Sequence, residues 1–159
     1  MEQQAQATSG RIVVLAVDGS DPAKKSFDWY LDNVHKEGDN VFIVTVGELA
    51  GKIDLGFFPG KYSDDRIKEI VQQAKEESTR VETMLADYVD SLRAKRIHGE
   101  GRQLTEKNAG QAICDFAEKN GASLICMGTR GQGLVRRTML GSVSDYIIHH
   151  SKCPCILVH

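Results

Sequence analysis

The residues best suited to chemistry in this 159-residue chain are glycines and arginines held at one spacing. Gly128-Thr129-Arg130-Gly131 is followed by nine residues and then by Gly141-Ser142. Glycine lets a backbone approach a ligand closely, and successive amides turned one way make a nest for an anion. A helix opening at Ser142 adds its unpartnered N–H groups and the positive end of its dipole. The Ser142 hydroxyl can cap that helix or donate to an oxygen. Arg130, Arg136 and Arg137 bring positive charge nearby. Together these residues spell a cradle for a polyphosphate. A plainer reading makes Gly128 and Gly131 a turn and Gly141 a helix entry, and glycine spacing alone does not separate the two.

Other motifs fail on inspection. Gly47-Glu48-Leu49-Ala50-Gly51-Lys52 has three residues between its glycines where a Walker A loop has four. Ile53 also stands where that loop needs a hydroxyl. Gly99-x-Gly101 and Gly131-x-Gly133 both lack the third glycine of a dinucleotide fingerprint. The cysteines are Cys114, Cys126, Cys153 and Cys155. Cys153-Pro154-Cys155 has one residue between its thiols, not the two of a zinc knuckle or redox motif, so no metal site is expected. They read as small buried hydrophobes near the end of a sheet.

The cradle needs elements to hold it. Ile12 to Val17, Val41 to Val46 and Ser123 to Met127 are apolar runs rich in β-branched residues, the pattern of strands buried on both faces. Cys155-Ile156-Leu157-Val158 is a terminal strand of the same kind. Asp21-Pro22 predicts an N-cap and first-turn proline, and Phe27, Tyr30, Leu31 and Val34 recur at helical spacing before Gly38 stops the helix. Ile67, Val71, Ala74, Ser78, Val81, Leu85, Tyr88 and Leu92 predict one helix from about Asp64 to Ala94. That stripe also fits a coiled-coil seam, but Ala74 and Ser78 weaken it and favour a helix lying on a sheet. Ala109 to Ala117 predicts a helix closed by Asn120-Gly121, and Ser142 to His150 another. Residues 47–63 predict a long loop and 95–104 a weak strand, because Gly99 and Gly101 interrupt the latter.

Strands alternating with helices imply parallel pairing through right-handed crossovers, hence an open, doubly wound α/β sheet. Such sheets take ligands beyond the carboxyl ends of their strands, where strand order reverses. Asp18, Val46 and Gly128 sit at such ends. Residues 1–10 read as a disordered tail and 11–159 as a single domain.

Lys and Arg number 20 against 22 Asp and Glu, a net charge of −2 that does not suit a nucleic-acid binder. No run approaches the roughly 20 apolar residues of a membrane span, and the first ten residues lack the pattern of a signal peptide. A cytoplasmic protein is expected.

The G-x2-G-x9-G-[S/T] spacing resembles the ATP-binding motif of the universal stress protein family. Ala16-Val17-Asp18-Gly19-Ser20 is similar to that family's first strand and terminal aspartate. Ile125 to Gly131 resembles its fourth strand and loop, and Leu140-Gly141-Ser142-Val143-Ser144 with Cys153 to Val158 its last helix start and last strand. The resemblance spans Arg11 to His159. It implies a Rossmann-like five-stranded sheet in the order 3-2-1-4-5. By the same resemblance Asp18 holds the adenosine, the Val46 backbone contacts adenine and Met127 lines the base. Gly128, Gly131, Gly141, Ser142 and Val143 take ribose and phosphates, and Ala16, Val17, Arg130 and Ser144 complete the nucleotide site. The implied ligand is ATP or AMP, with Mg2+ accompanying the nucleotide. The family often forms homodimers, here through Cys155, Ile156, Leu157 and Val158. The implied function is nucleotide-dependent regulation in stress response. The alternative is a slow ATPase or adenylyl-transferring enzyme on the same site, and no Ser/Thr–Asp magnesium pair for it is evident in the sequence.

Overall fold

A computed structural model describes residues 10–47, 63–129 and 140–159. The expected N-terminal tail, most of the 47–63 loop, and Arg130, Gly131, Arg136 and Arg137 lie outside the described residues. The order of elements is β1 (Ile12–Ala16), α1 (Asp21–Asn33), β2 (Asn40–Val46), α2 (Asp64–Ala94), β3 (His98–Leu104), α3 (Ala109–Lys119), β4 (Leu124–Gly128), α4 (Ser142–His150) and β5 (Cys155–Val158). The strands form one parallel sheet in the order β3-β2-β1-β4-β5. Ala16 pairs with Val44 on one side and Met127 on the other, so the carboxyl ends of the central strands finish level.

Alternation along the strands divides the core between the two faces. Val13, Leu15, Val41 and Ile43 pack under α1 and α2, with Phe27, Tyr30 and Leu92. Val14, Phe42, Val44 and Ile125 pack under α3 and α4, with Ile113, Ala117 and Ile147. Burial on both faces is what the continuous apolar runs require.

Helix α1 is capped by Ser20, whose Oγ accepts from the Ala23 amide, so the cap lies one residue before Asp21. It ends at Asn33, and Gly38, at φ +87°, serves the turn into β2 instead of stopping the helix. In α2 the apolar stripe is used unevenly. Leu85 and Leu92 press on the sheet, whereas Ile67 and Val71 near its start are 39% and 44% exposed. Strand β3 is the edge that glycines made hard to read. A Cβ on Gly99 would lie 2.4 Å from Leu92 Cδ1 and 2.8 Å from the Val41 carbonyl oxygen. One on Gly101 would lie 3.0 Å from Leu85 Cβ. These glycines let α2 come down onto the edge strand.

At the opposite end of β1 and β2 a charged clasp closes the sheet. Arg11 Nε donates to Asp39 Oδ1 at 2.6 Å, and its Nη2 donates to Asp39 Oδ2 at 3.0 Å and to the Val34 carbonyl at 2.6 Å. The Tyr30 hydroxyl and Lys36 amide also donate to Oδ2, at 2.6 and 3.0 Å. Burial favours the neutral acid, but the donated bonds from Arg11, Tyr30 and Lys36 prevail and hold the Asp39 carboxyl at about 2.

Candidate functional site at the carboxyl ends of the strands

Strand order reverses between β1 and β4, and the chain leaves these strands toward opposite faces. A crevice therefore opens at their carboxyl ends. Asp18 lies on its β1 side. Gly19, at φ +80°, turns the chain so that Asp18 Oδ1 accepts from the Ser20 amide at 3.0 Å and the Ser20 hydroxyl at 2.5 Å. This local Asx turn fixes an exposed carboxylate at the rim and leads straight into the cap of α1.

Asp18 borders a cleft of about 340 Å³. Thr45 and Val46 at the end of β2 form its floor, and Glu77, Arg80, Val81 and Met84 of α2 form its roof. Val81 and Met84 give the α2 wall an apolar surface against which a flat ring can lie, with charged groups at its margin. The Val46 side chain packs on the α3–α4 face, so Val46 meets the cleft at the strand end through its backbone. A second cleft of about 620 Å³ continues between α1 and α2 and shares Gly19, Arg80 and Met84. Tyr88 lines it, and burial, with Asp18 and Asp28 adding negative charge, pushes its hydroxyl up to about 12. The α2 roof was not foreseen as part of the site. Its signal in the sequence is the length of α2, 31 residues or about 46 Å, which exceeds what a short sheet can cover.

On the β4 side the backbone closes a loop neck. The Thr129 amide donates to the Val158 carbonyl at 3.0 Å, and the Gly141 amide donates to the Thr129 carbonyl at 2.9 Å. Thr129 after β4 and Gly141 before α4 thus stand side by side. Ser144 is buried, and its hydroxyl is placed to donate to Gly141 O at 2.9 Å or Thr129 O at 3.4 Å, which makes it a pin for that neck. Gly141 is the N-cap of α4 and supplies no side-chain bond to the helix. Ser142 is therefore the first helical residue, not the cap. Ser142 and Val143 are exposed, so the opening turn of α4 presents its dipole and amides at the surface beside β4, the geometry that favours an anion.

The remaining expected residues lie below this surface. Ala16 pairs with Met127, and the Val17 amide donates to Val44 O at 2.9 Å. Met127 is 3% exposed and packs in the α3–α4 core with Val14 and Ile147. A Cβ on Gly128 would lie 2.7 Å from the Pro22 carbonyl oxygen, so the start of α1 sits directly on the end of β4. No group of three or more possible metal ligands occurs among the described residues. No described helix is long and apolar enough to cross a membrane.

The sequence profile described as Universal stress protein family matches residues 10–159. Universal stress protein MJ0531 of Methanocaldococcus jannaschii is 30% identical over 148 residues, covering 92% of this chain and 80% of that protein. The solved structure of hypothetical protein MJ0577 has a TM-score of 0.74 at 15% identity over 93% of this chain and 94% of that one, a likeness of fold. The universal stress protein from Archaeoglobus fulgidus, solved in complex with dAMP, has a TM-score of 0.58 at 25% identity, covering 96% of this chain and 99% of that one. Fold, strand order and a profile match over nearly the whole chain agree: this protein belongs to the universal stress protein family.

Proposed function

We propose that this chain binds ATP at the β1–β4 crevice and acts as a regulatory nucleotide-binding protein. One observation carries the reading: two complementary surfaces meet at one switch point. A cleft with an apolar α2 wall and the Asp18 carboxylate at its rim faces the nucleoside, and the α4 start, without a side-chain cap, faces the phosphates. A carboxylate repels phosphate, so Asp18 belongs at the nucleoside end. The relative solved with dAMP supports an adenine nucleotide as the class of ligand. Gly128, Arg130, Gly131, Gly141, Ser142 and Val143 take ribose and phosphates in this reading. Val46 contacts the base, and Ala16, Val17, Met127 and Ser144 hold those residues in place. Mg2+ arrives on the phosphates. Occupancy by ATP, with AMP as the competing ligand, biases which partners the protein engages during stress in the cytoplasm.

The protein acts as a homodimer in the same reading. Strand β5 ends the sheet, is paired on one side by β4 and carries no charged residue in Cys155–Val158. An apolar edge invites pairing, and a two-fold axis brings it against its own copy.

Isothermal titration of the purified protein tests the ligand. Saturable one-to-one binding of ATP, at least about tenfold tighter than GTP, is expected. No binding of ATP at millimolar concentration overturns the reading.

A further inference from the structure

Three of the four cysteines gather far from the nucleotide site, where α3 meets the lead into β5. Cys114 of α3 and Cys153 line one cleft of about 190 Å³, with Glu118, Ser151 and Lys152 around them. Cys153 and Cys155 pack against the same core cluster that contains Cys114. All are free thiols; Cys114 is buried and Cys153 partly exposed. Burial, then Cys155, Asp115 and Cys153, pushes the Cys114 thiol up to about 11. The fourth cysteine, Cys126, is fully buried in the core on the other face of the sheet.

The surroundings give the thiols unequal roles. Lys152 Nζ donates to Glu118 Oε1 at 2.6 Å and ties the β5 lead to α3. Ser151 Oγ is 3.5 Å from Cys153 Sγ and 2.9 Å from the Cys153 carbonyl oxygen. Its single hydroxyl proton can turn from the carbonyl to a thiolate on Cys153. Cys155 is already placed in β5, in register with Ile125, and its Sγ donates to Cys153 O at 3.5 Å.

We propose that Cys153 and Cys114 form an intramolecular disulfide driven by hydrogen peroxide. Cys153 gives up its proton, and its sulfur attacks one peroxide oxygen. The O–O bond breaks, the leaving hydroxide takes the proton as water, and Cys153 is left as a sulfenic acid. Cys114 sulfur then attacks the Cys153 sulfur. The S–O bond breaks, and hydroxide leaves as a second water with the Cys114 proton. Two thiols and one peroxide become one disulfide and two waters. Until Cys114 attacks, the sulfenic acid on the partly exposed Cys153 is open to a trapping reagent. A disulfide needs its Cα atoms about 4.4–6.8 Å apart. Residues 151–154 belong to no helix or strand, so closure adjusts a turn and leaves the sheet paired. The bridge would fasten the β5 edge to α3.

Peptide mapping of the full-length protein after hydrogen peroxide and thiol alkylation tests this. Trypsin gives residues 108–119 with Cys114 and residues 153–159 with Cys153 and Cys155. The expected product is these two peptides joined, with one alkylated thiol and with Cys126 alkylated separately. In Cys155→Ser the cross-link persists. In Cys153→Ser the cross-link is absent, and a dimedone adduct at residue 153 disappears. Circular dichroism checks that both variants are folded. A Cys153–Cys155 bridge, a bridge between chains, a cross-link that survives Cys153→Ser, or three thiols still free after peroxide each overturns the proposal.

Discussion

Gly128, the last residue of β4, lies against Pro22 in the first turn of α1, so closely that a Cβ would stand 2.7 Å from the Pro22 carbonyl oxygen and 3.2 Å from the Ala23 amide nitrogen. The contact joins β4, which borders the crevice, to the helix that follows β1. It also gives the first glycine of the motif a duty that exists before any ligand arrives. Packing of α1 onto the sheet demands it, and backbone atoms on Pro22 and Ala23 cannot swing aside as a flexible side chain can.

Gly128→Ala should therefore destabilise the nucleotide-free protein. An added methyl in a tight site costs about 1–3 kcal/mol. Urea denaturation without nucleotide measures it. An unchanged midpoint would mean that α1 and β4 yield freely and that the glycine serves the ligand alone.

The Arg11–Asp39 clasp sets the acid limit of the fold. The Asp39 carboxyl is lowered from 3.8 to about 2 when folded. Its contribution is complete above about pH 4 and is lost as pH falls toward 2, and the linked stability is about 2 kcal/mol. Denaturation midpoints from pH 5 to pH 2 should fall steeply for the wild type. They should fall less steeply for Asp39→Asn, which starts lower because the Arg11 charge loses its partner. Parallel curves for the two proteins would contradict this role.

What the sequence made legible follows the range of the interactions. Helix α2 could be read from Asp64 to Ala94 because its regular apolar stripe is a local signal, and the Ser63 cap fits that start. β1, β2 and β4 declared themselves by apolar runs that only a sheet covered on both faces explains. β3 did not, since Gly99 and Gly101 answer to Leu92 and Leu85 on a helix that had to be placed first. The clasp was invisible for the same reason: Arg11, Tyr30 and Asp39 meet only when β1 and β2 pair. At the site, Asp18, Val46 and Gly141 were marked by strand and helix ends. The roof formed by Arg80, Val81 and Met84 depended on where α2 crosses the strand ends.

The β5 edge yields a prediction about assembly. Wild-type protein at tens of micromolar should sediment as a dimer, and Leu157→Lys should shift it to monomer. Leu157 also packs against the α3–α4 core, so a melting curve must accompany the sedimentation. A monomeric wild type, or a folded variant that remains dimeric, would refute pairing through β5.

The division of the crevice into a nucleoside end at Asp18 and a phosphate end at α4 is tested most directly by a crossed titration. Wild type, Asp18→Ala and Gly141→Val are each titrated calorimetrically with ATP and with adenosine. Asp18→Ala should weaken both ligands. Gly141→Val places a branched side chain at the α4 cap, and it should weaken ATP at least tenfold, about 1.4 kcal/mol, while adenosine binds as before. Equal affinities for both ligands across three folded proteins would contradict the site, and loss of ATP but not adenosine in Asp18→Ala would reverse the assignment of its two ends.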